Sequence, residues 1–106
     1  MSVVSISASE AVEHSASGDA VMVDMRPQVV RHQGSLPGVV VVEPAELSSA
    51  FAPHSCGRVG IDGFDTEIAV VSVPSEAEAM AERIASLGYT NVRYVDGGFP
   101  AVRPLT

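Results

Sequence analysis

The side chains of this sequence that could do chemistry lie in three short stretches. Asp24-Met25-Arg26 follows one apolar run, residues 72–77 follow another, and Cys56 lies in a glycine-containing loop between His54 and Arg58. A neighbouring histidine and arginine can make a cysteine thiol reactive. An aspartate and an arginine at a strand end are more typical of an ion pair. Each stretch is therefore a candidate site, and the elements around it decide which ones can act together.

No metal or cofactor is predicted. The three histidines, His14, His32 and His54, do not have the spacing of metal ligands. The single Cys56 excludes an internal disulfide and a metal site built from several cysteines.

The stretch at residues 72–77 has the pattern of a strand, a tight turn and a helix. An apolar run ends at Val71, and Ser75-Glu76-Ala77-Glu78 fits a capping box that predicts a helix start at Ser75. Ligands of open α/β sheets bind at the carboxyl ends of strands. The predicted binding residues are Ser72, Val73, Pro74, Ser75, Glu76, Ala77, Asp24 and Arg26. We expect the Ser72 hydroxyl to hydrogen-bond the local backbone, because serine does so readily at strand ends.

Strands and helices alternate along the rest of the chain. A second capping box, Ser7-Ala8-Ser9-Glu10, predicts another helix, and Val39 to Val42 is the strongest strand pattern. Further segments are strands near Val3–Ile6, Val21–Val23 and Val92–Val95, and helical turns at Pro27–Gln33 and Pro44–Phe51. The alternation predicts one α/β domain over residues 1–106, with a mainly parallel sheet and helices on both faces. We expect the strands of Val23, Val40, Val70 and Val95 to be parallel and central.

Composition narrows the class of partner. The 106 residues are 46% hydrophobic and carry a net charge of −7, with no lysine. Nucleic acid and anionic membranes both require a positive patch, so neither is an expected partner. No apolar run reaches the roughly 20 residues that span a bilayer, and the N-terminus lacks the features of a signal peptide. We expect a cytoplasmic protein, and the sequence leaves its oligomeric state open.

Four motifs in order resemble the rhodanese homology domain, between about Ile6 and Val102. They are Asp24-Met25-Arg26, Leu36-Pro37-Gly38, Leu87-Gly88-Tyr89 and Gly97-Gly98-Phe99. The resemblance implies a five-stranded parallel sheet flanked by helices. It also implies an active-site loop after the fourth strand, where active members transfer sulfane sulfur through a cysteine persulfide. Phosphatases of the same fold use a similar loop on phosphate esters.

The sequence departs from this family where the chemistry takes place. Ser72, or Val71 if the alignment shifts by one, stands in place of the nucleophilic cysteine, and Ala77 stands in place of the arginine that closes the loop. A serine hydroxyl cannot form a stable persulfide. Pro74 removes one amide donor from the loop, and acidic side chains at Glu76 and Glu78 repel an anion. We also expect the capping box to occupy the remaining helix-start amides, so that this loop binds no anion.

The sequence therefore favours a rhodanese-like domain without sulfurtransferase activity, which acts as a binding or regulatory module for an unidentified protein partner. The alternative is a sulfurtransferase or sulfur carrier that uses Cys56 or a thiol supplied by a partner. Because Cys56 precedes its strand, we expect it at the edge of the sheet opposite Ser72. A phosphatase-like hydrolase would need a nucleophile that this loop lacks.

Overall fold

A computed structural model of the chain describes residues 3–26, 39–51, 64–73 and 75–105, without the side chain of Phe99. Its strands are β1 (Val4–Ile6), β2 (Ala20–Asp24), β3 (Val40–Val41), β4 (Glu67–Val71) and β5 (Val92–Val95). Its helices are α1 (Ala8–Ala16), α2 (Leu47–Ala50), α3 (Ala77–Ala85) and α4 (Gly98–Val102). Two 3-10 turns, Pro44–Glu46 and Arg103–Leu105, precede α2 and follow α4. The predicted helical turns at Pro27–Gln33 and the Cys56 loop lie outside the described residues.

The five strands form one sheet in the order β1-β5-β4-β2-β3. Every neighbouring pair is parallel, and β4 lies in the middle with β2 and β5 on either side. The predicted parallel sheet is confirmed. The expected central position of the Val40 strand is wrong, because β3 is an edge strand and Val41 is 53% exposed. A run of β-branched residues suits a pleated surface at an edge as well as at the centre.

Helices cover both faces of the sheet, as predicted. One face packs against α2 and α3, with Leu47, Val70 and Ile84 in a shared apolar cluster. The other face packs against α1 and α4, where Ala11 and Val102 meet the buried side chains of β4 and β5. Alternate residues of β4 enter the two clusters, since successive side chains of a strand point to opposite faces. The whole of β4 beyond Glu67 is consequently buried.

The connector before β5 explains the Leu87-Gly88-Tyr89 motif. Gly88 has φ +114°, and a Cβ there would lie 3.3 Å from the ring of Phe64. Tyr89 is buried, and its hydroxyl donates a 2.6 Å hydrogen bond to the Phe51 carbonyl. The motif is therefore structural, because it joins the end of α3 to the layer formed by α2. Among the described helices, none has the length and apolar character required to cross a membrane.

Candidate functional site at the carboxyl edge of the sheet

The end of β2 holds a buried ion pair. The Asp24 carboxylate accepts hydrogen bonds from Arg26 Nε at 3.0 Å, Arg26 Nη2 at 2.8 Å and the Arg26 backbone amide at 3.0 Å. Asp24 is 1% exposed and Arg26 is fully buried. A guanidinium that donates two bonds to one carboxylate is held in a fixed orientation. The predicted ion pair is present, and it stabilises the strand end.

Ser72 lies at the neighbouring strand end. Val71 pairs with Asp24 across the sheet, and its carbonyl accepts a 2.8 Å hydrogen bond from the Met25 amide. The structure thus brings Asp24, Arg26 and the residue that follows β4 together at one edge. Ser72 is fully buried, and its hydroxyl has no hydrogen-bond partner among the described residues. The expected bond from this hydroxyl to the local backbone is therefore wrong.

The predicted capping box at the start of α3 does not form. The Val73 carbonyl accepts hydrogen bonds from the Glu76 amide at 2.9 Å and the Ala77 amide at 3.2 Å, which closes a turn before the helix. The helix begins at Ala77, its N-cap is Glu76, and no side chain caps it. Glu76 has φ −119° and ψ −11°, whereas a capping residue has an extended backbone. Ser75 consequently lies one residue too early to cap α3.

The uncapped start of α3 changes the reason for expecting no anion at this loop. The amides of Glu78 and Ala79 have no acceptor among the described residues, so the expectation that a capping box occupies them is wrong. Ser75, Glu76 and Glu78 are exposed, and Ala77 is buried. The residues from Ser72 to Glu78 include two acids and no base. The case against an anion at this loop therefore rests on charge and on the missing N–H of Pro74.

The turn after β5 completes the edge. The Asp96 amide donates a 2.8 Å hydrogen bond to the Ile6 carbonyl, which ties the end of β5 to the end of β1. Gly97 has φ +81°, and a Cβ at this position would lie 2.8 Å from Ala101 Cβ. Only glycine fits there without a shift of α4. The close approach of Gly97 to Ala101 in α4 thus explains the first glycine of the Gly97-Gly98 motif.

The sequence that forms this sheet and its carboxyl edge matches one protein family over almost the whole chain. The family model for the rhodanese-like domain matches residues 7–104. The chain belongs to the rhodanese-like domain family. No significant match is found among curated protein sequences.

Solved structures share the fold of this rhodanese-like domain. The human single-domain sulfurtransferase TSTD1 superposes with a TM-score of 0.78 and 21% identity, over 96% of both chains. A protein of unknown function from Rhodopseudomonas palustris, named as a possible tyrosine phosphatase, also gives 0.78 and 21%, over 97% of this chain and 81% of its own. The rhodanese-like domain of an Anabaena protein gives 0.74 and 14%, over 95% and 74%. At these identities the likeness shows the fold alone.

The outcome for the predicted site residues is uneven. Asp24, Arg26, Ser72, Val73 and residues 75–77 lie at the carboxyl edge, as predicted. Pro74 and Cys56 lie outside the described residues, so the predicted position of Cys56 at the opposite edge stays a prediction.

Sequence reasoning missed one charged cluster at the amino edge. His14 lies 2.7 Å from Glu67, and Arg93 lies 4.0 Å from the same carboxylate. The signal for this contact is absent from local patterns, because His14 and Glu67 are 53 positions apart.

Proposed function

We propose that this rhodanese-like domain acts as a binding or regulatory module and has no sulfurtransferase activity of its own. The observation that carries the proposal is the buried Ser72 at the end of β4, where active relatives place a reactive cysteine. In sulfur transfer from thiosulfate, a thiolate attacks the sulfane sulfur, a new S–S bond forms as the bond to the departing sulfite breaks, and the sulfane sulfur later passes to an acceptor such as cyanide. The Ser72 hydroxyl cannot carry that intermediate, because a persulfide requires a sulfur atom on the protein.

The electrostatics of the loop support the same proposal. A thiolate, a persulfide and thiosulfate are all negatively charged, and each is stabilised by a cation or a helix N-terminus. Here the residue at the place of the closing arginine is the buried Ala77. The nearby Arg26 is fully buried in its pair with Asp24. The exposed acids Glu76 and Glu78 repel an approaching anion, by about 1 kcal/mol for each charge at 4 Å in water.

A protein is the partner class that these observations favour. The net charge of −7 disfavours nucleic acid and anionic membranes. The exposed residues of the carboxyl edge include Ser75, Glu76 and Asp96, which can hydrogen-bond or pair with basic side chains of a partner. The buried ion pair after β2 keeps this edge rigid, so that it can present a fixed surface without catalysing a reaction.

A thiosulfate:cyanide sulfurtransferase assay of the full chain tests the proposal. We expect no thiocyanate above the uncatalysed rate and no added sulfur on Cys56 by mass spectrometry. A Cys56→Ser variant is the matched control, because it removes the single thiol of the chain. Turnover in the unaltered chain that disappears in Cys56→Ser, together with sulfur bound to Cys56, would contradict the proposal and support a sulfurtransferase that uses Cys56.

A further inference from the structure

A histidine–glutamate pair joins α1 to β4 at the amino edge of the sheet, away from the candidate site. His14 Nδ1 lies 2.7 Å from Glu67 Oε2. His14 is in the last turn of α1, and Glu67 is the first residue of β4. The Glu67 side chain is 12% exposed and the imidazole is 37% exposed. The contact is therefore sheltered by the sheet on one side and reaches solvent on the other.

The same histidine also anchors the connector between α1 and β2. Its backbone carbonyl accepts a 2.9 Å hydrogen bond from the Asp19 amide and a 3.1 Å hydrogen bond from Ser17 Oγ. Glu67 of β4 is the sheet partner of Ala20, the residue of β2 that directly follows this connector. His14 thus connects the end of the helix, the connector and the sheet. A change in the contact between the His14 and Glu67 side chains should therefore first affect the hydrogen bonds of the connector.

The charges that face this pair are mostly negative. They are Glu10 on α1, Asp19 in the connector, Glu67 on β4 and Arg93 on β5, and the 3-10 turn that contacts α1 carries Arg103. The hydrogen bond to Glu67 raises the pKa of His14 above its ordinary value of 6.5, burial acts in the opposite direction, and the charges of Glu67, Glu10 and Asp19 raise it further. The position near the C-terminus of α1 also favours a cation.

We propose that the His14–Glu67 pair is a pH-sensitive latch that fastens the C-terminal end of α1 to the sheet. The latch is closed when an imidazolium faces the carboxylate. It weakens when His14 loses its proton, because charge-assisted hydrogen bonds are about twice as strong as neutral ones. A neutral imidazole can still donate from Nδ1, so the helix end loosens without leaving the sheet. The proposal is independent of the function proposed for the opposite edge.

The sign of the pH effect follows from the direction of the pKa shift. A group whose pKa is raised in the folded state contributes its full stabilisation below its unfolded pKa, here 6.5. That contribution declines above 6.5 and is lost once the pH exceeds the folded-state pKa of His14. The latch therefore holds in mildly acidic solution and weakens toward alkaline pH.

Two NMR measurements on the full chain test the latch. We expect the imidazole resonances of His14 to titrate with a midpoint above 6.5. Amide exchange of Ser17, Gly18 and Asp19, corrected for its intrinsic pH dependence, should become faster between about pH 6 and about pH 8. The Ile68 amide, within the central strand, should keep its protection.

Two variants separate the latch from a general charge effect. Glu67→Gln removes the partner charge, so the His14 midpoint should fall toward 6.5 and the pH dependence of connector exchange should disappear. Glu13→Gln removes one exposed acid from the same helix and should leave both unchanged. A His14 midpoint at or below 6.5 in the unaltered chain would overturn the proposal, as would an unchanged midpoint in Glu67→Gln. The titration of the unaltered chain decides the matter even if Glu67→Gln fails to fold.

Discussion

The carboxyl ends of β2 and β4 lie side by side, and they differ in how their polar groups are satisfied. After β2, Asp24 and Arg26 are buried and joined by four hydrogen bonds, three from the guanidinium and one from the Arg26 amide. After β4, Ser72 is equally buried, and its hydroxyl has no hydrogen-bond partner among the described residues. The two strand ends show that neighbouring polar groups at this edge can be equally buried while only the pair after β2 is satisfied by described residues.

The largest effect should come from breaking the pair after β2. We expect Asp24→Asn to destabilise the domain by about 3–5 kcal/mol, because it removes the carboxylate that balances a fully buried guanidinium. Denaturant unfolding measures the change. Asp96→Asn, at an exposed position after β5, is the matched control and should change stability by less than about 0.5 kcal/mol. Equal effects of the two variants would show that the Asp24–Arg26 pair does not hold the edge.

The starts of α1 and α3 extend the comparison. Ser7 accepts a hydrogen bond from the Glu10 amide at 3.2 Å, so it caps α1 as predicted. The Glu10 carboxylate accepts a 3.0 Å hydrogen bond from the Ser7 hydroxyl instead of from the Ser7 amide, so only the Ser7 half of the predicted capping box is present among the described residues. We expect Ser7→Ala to cost about 1 kcal/mol of stability. Ser75→Ala should cost less than about 0.5 kcal/mol, because the Ser75 side chain caps no helix among the described residues. A similar loss in both variants would mean that Ser75 caps α3 in solution.

A smaller effect of opposite sign is expected at Ser72. Replacing it by alanine removes a buried hydroxyl that no described residue satisfies. Because an unsatisfied buried group costs free energy, we expect Ser72→Ala to raise the free energy of unfolding by up to about 1 kcal/mol. Thermal or denaturant unfolding of Ser72→Ala and of the unaltered chain measures this difference in stability. A loss of stability would reveal a hydrogen bond to this hydroxyl and would remove the contrast with Asp24.

The sequence predicted the strands and helices better than it predicted their positions in the sheet and their caps. Apolar runs and capping patterns located β4, α1 and the parallel sheet, because these depend on local periodicity. The run from Val39 to Val42 looked central, but β3 lies at an edge, since β-branched residues suit either position. Of the two Ser-x-x-Glu patterns, the first forms a serine cap at Ser7 and the second precedes an uncapped helix, because the Val73 carbonyl closes a turn before α3.

Most contacts between residues far apart in the sequence could not be predicted from local sequence patterns. The proximity of Asp24 to the end of β4 could be predicted, because parallel strands place their carboxyl ends at one edge. The pair between His14 and Glu67 depends on how α1 lies across the sheet, which no local spacing encodes. The hydrogen bonding of Ser72 could not be predicted for the same reason, because a buried hydroxyl finds a partner only if the surrounding fold supplies one.

The most direct test of the central claim is the sulfurtransferase activity of Ser72→Cys, measured with thiosulfate and cyanide beside the unaltered chain. This variant introduces a thiol at position 72 and leaves Pro74, Glu76, Glu78 and Ala77 as they are. We predict no turnover above background in either protein, because the loop still lacks the arginine and repels the anionic substrate. Turnover clearly above background in Ser72→Cys would contradict the account, because it would show that the loop remains competent and that only the sulfur atom is missing.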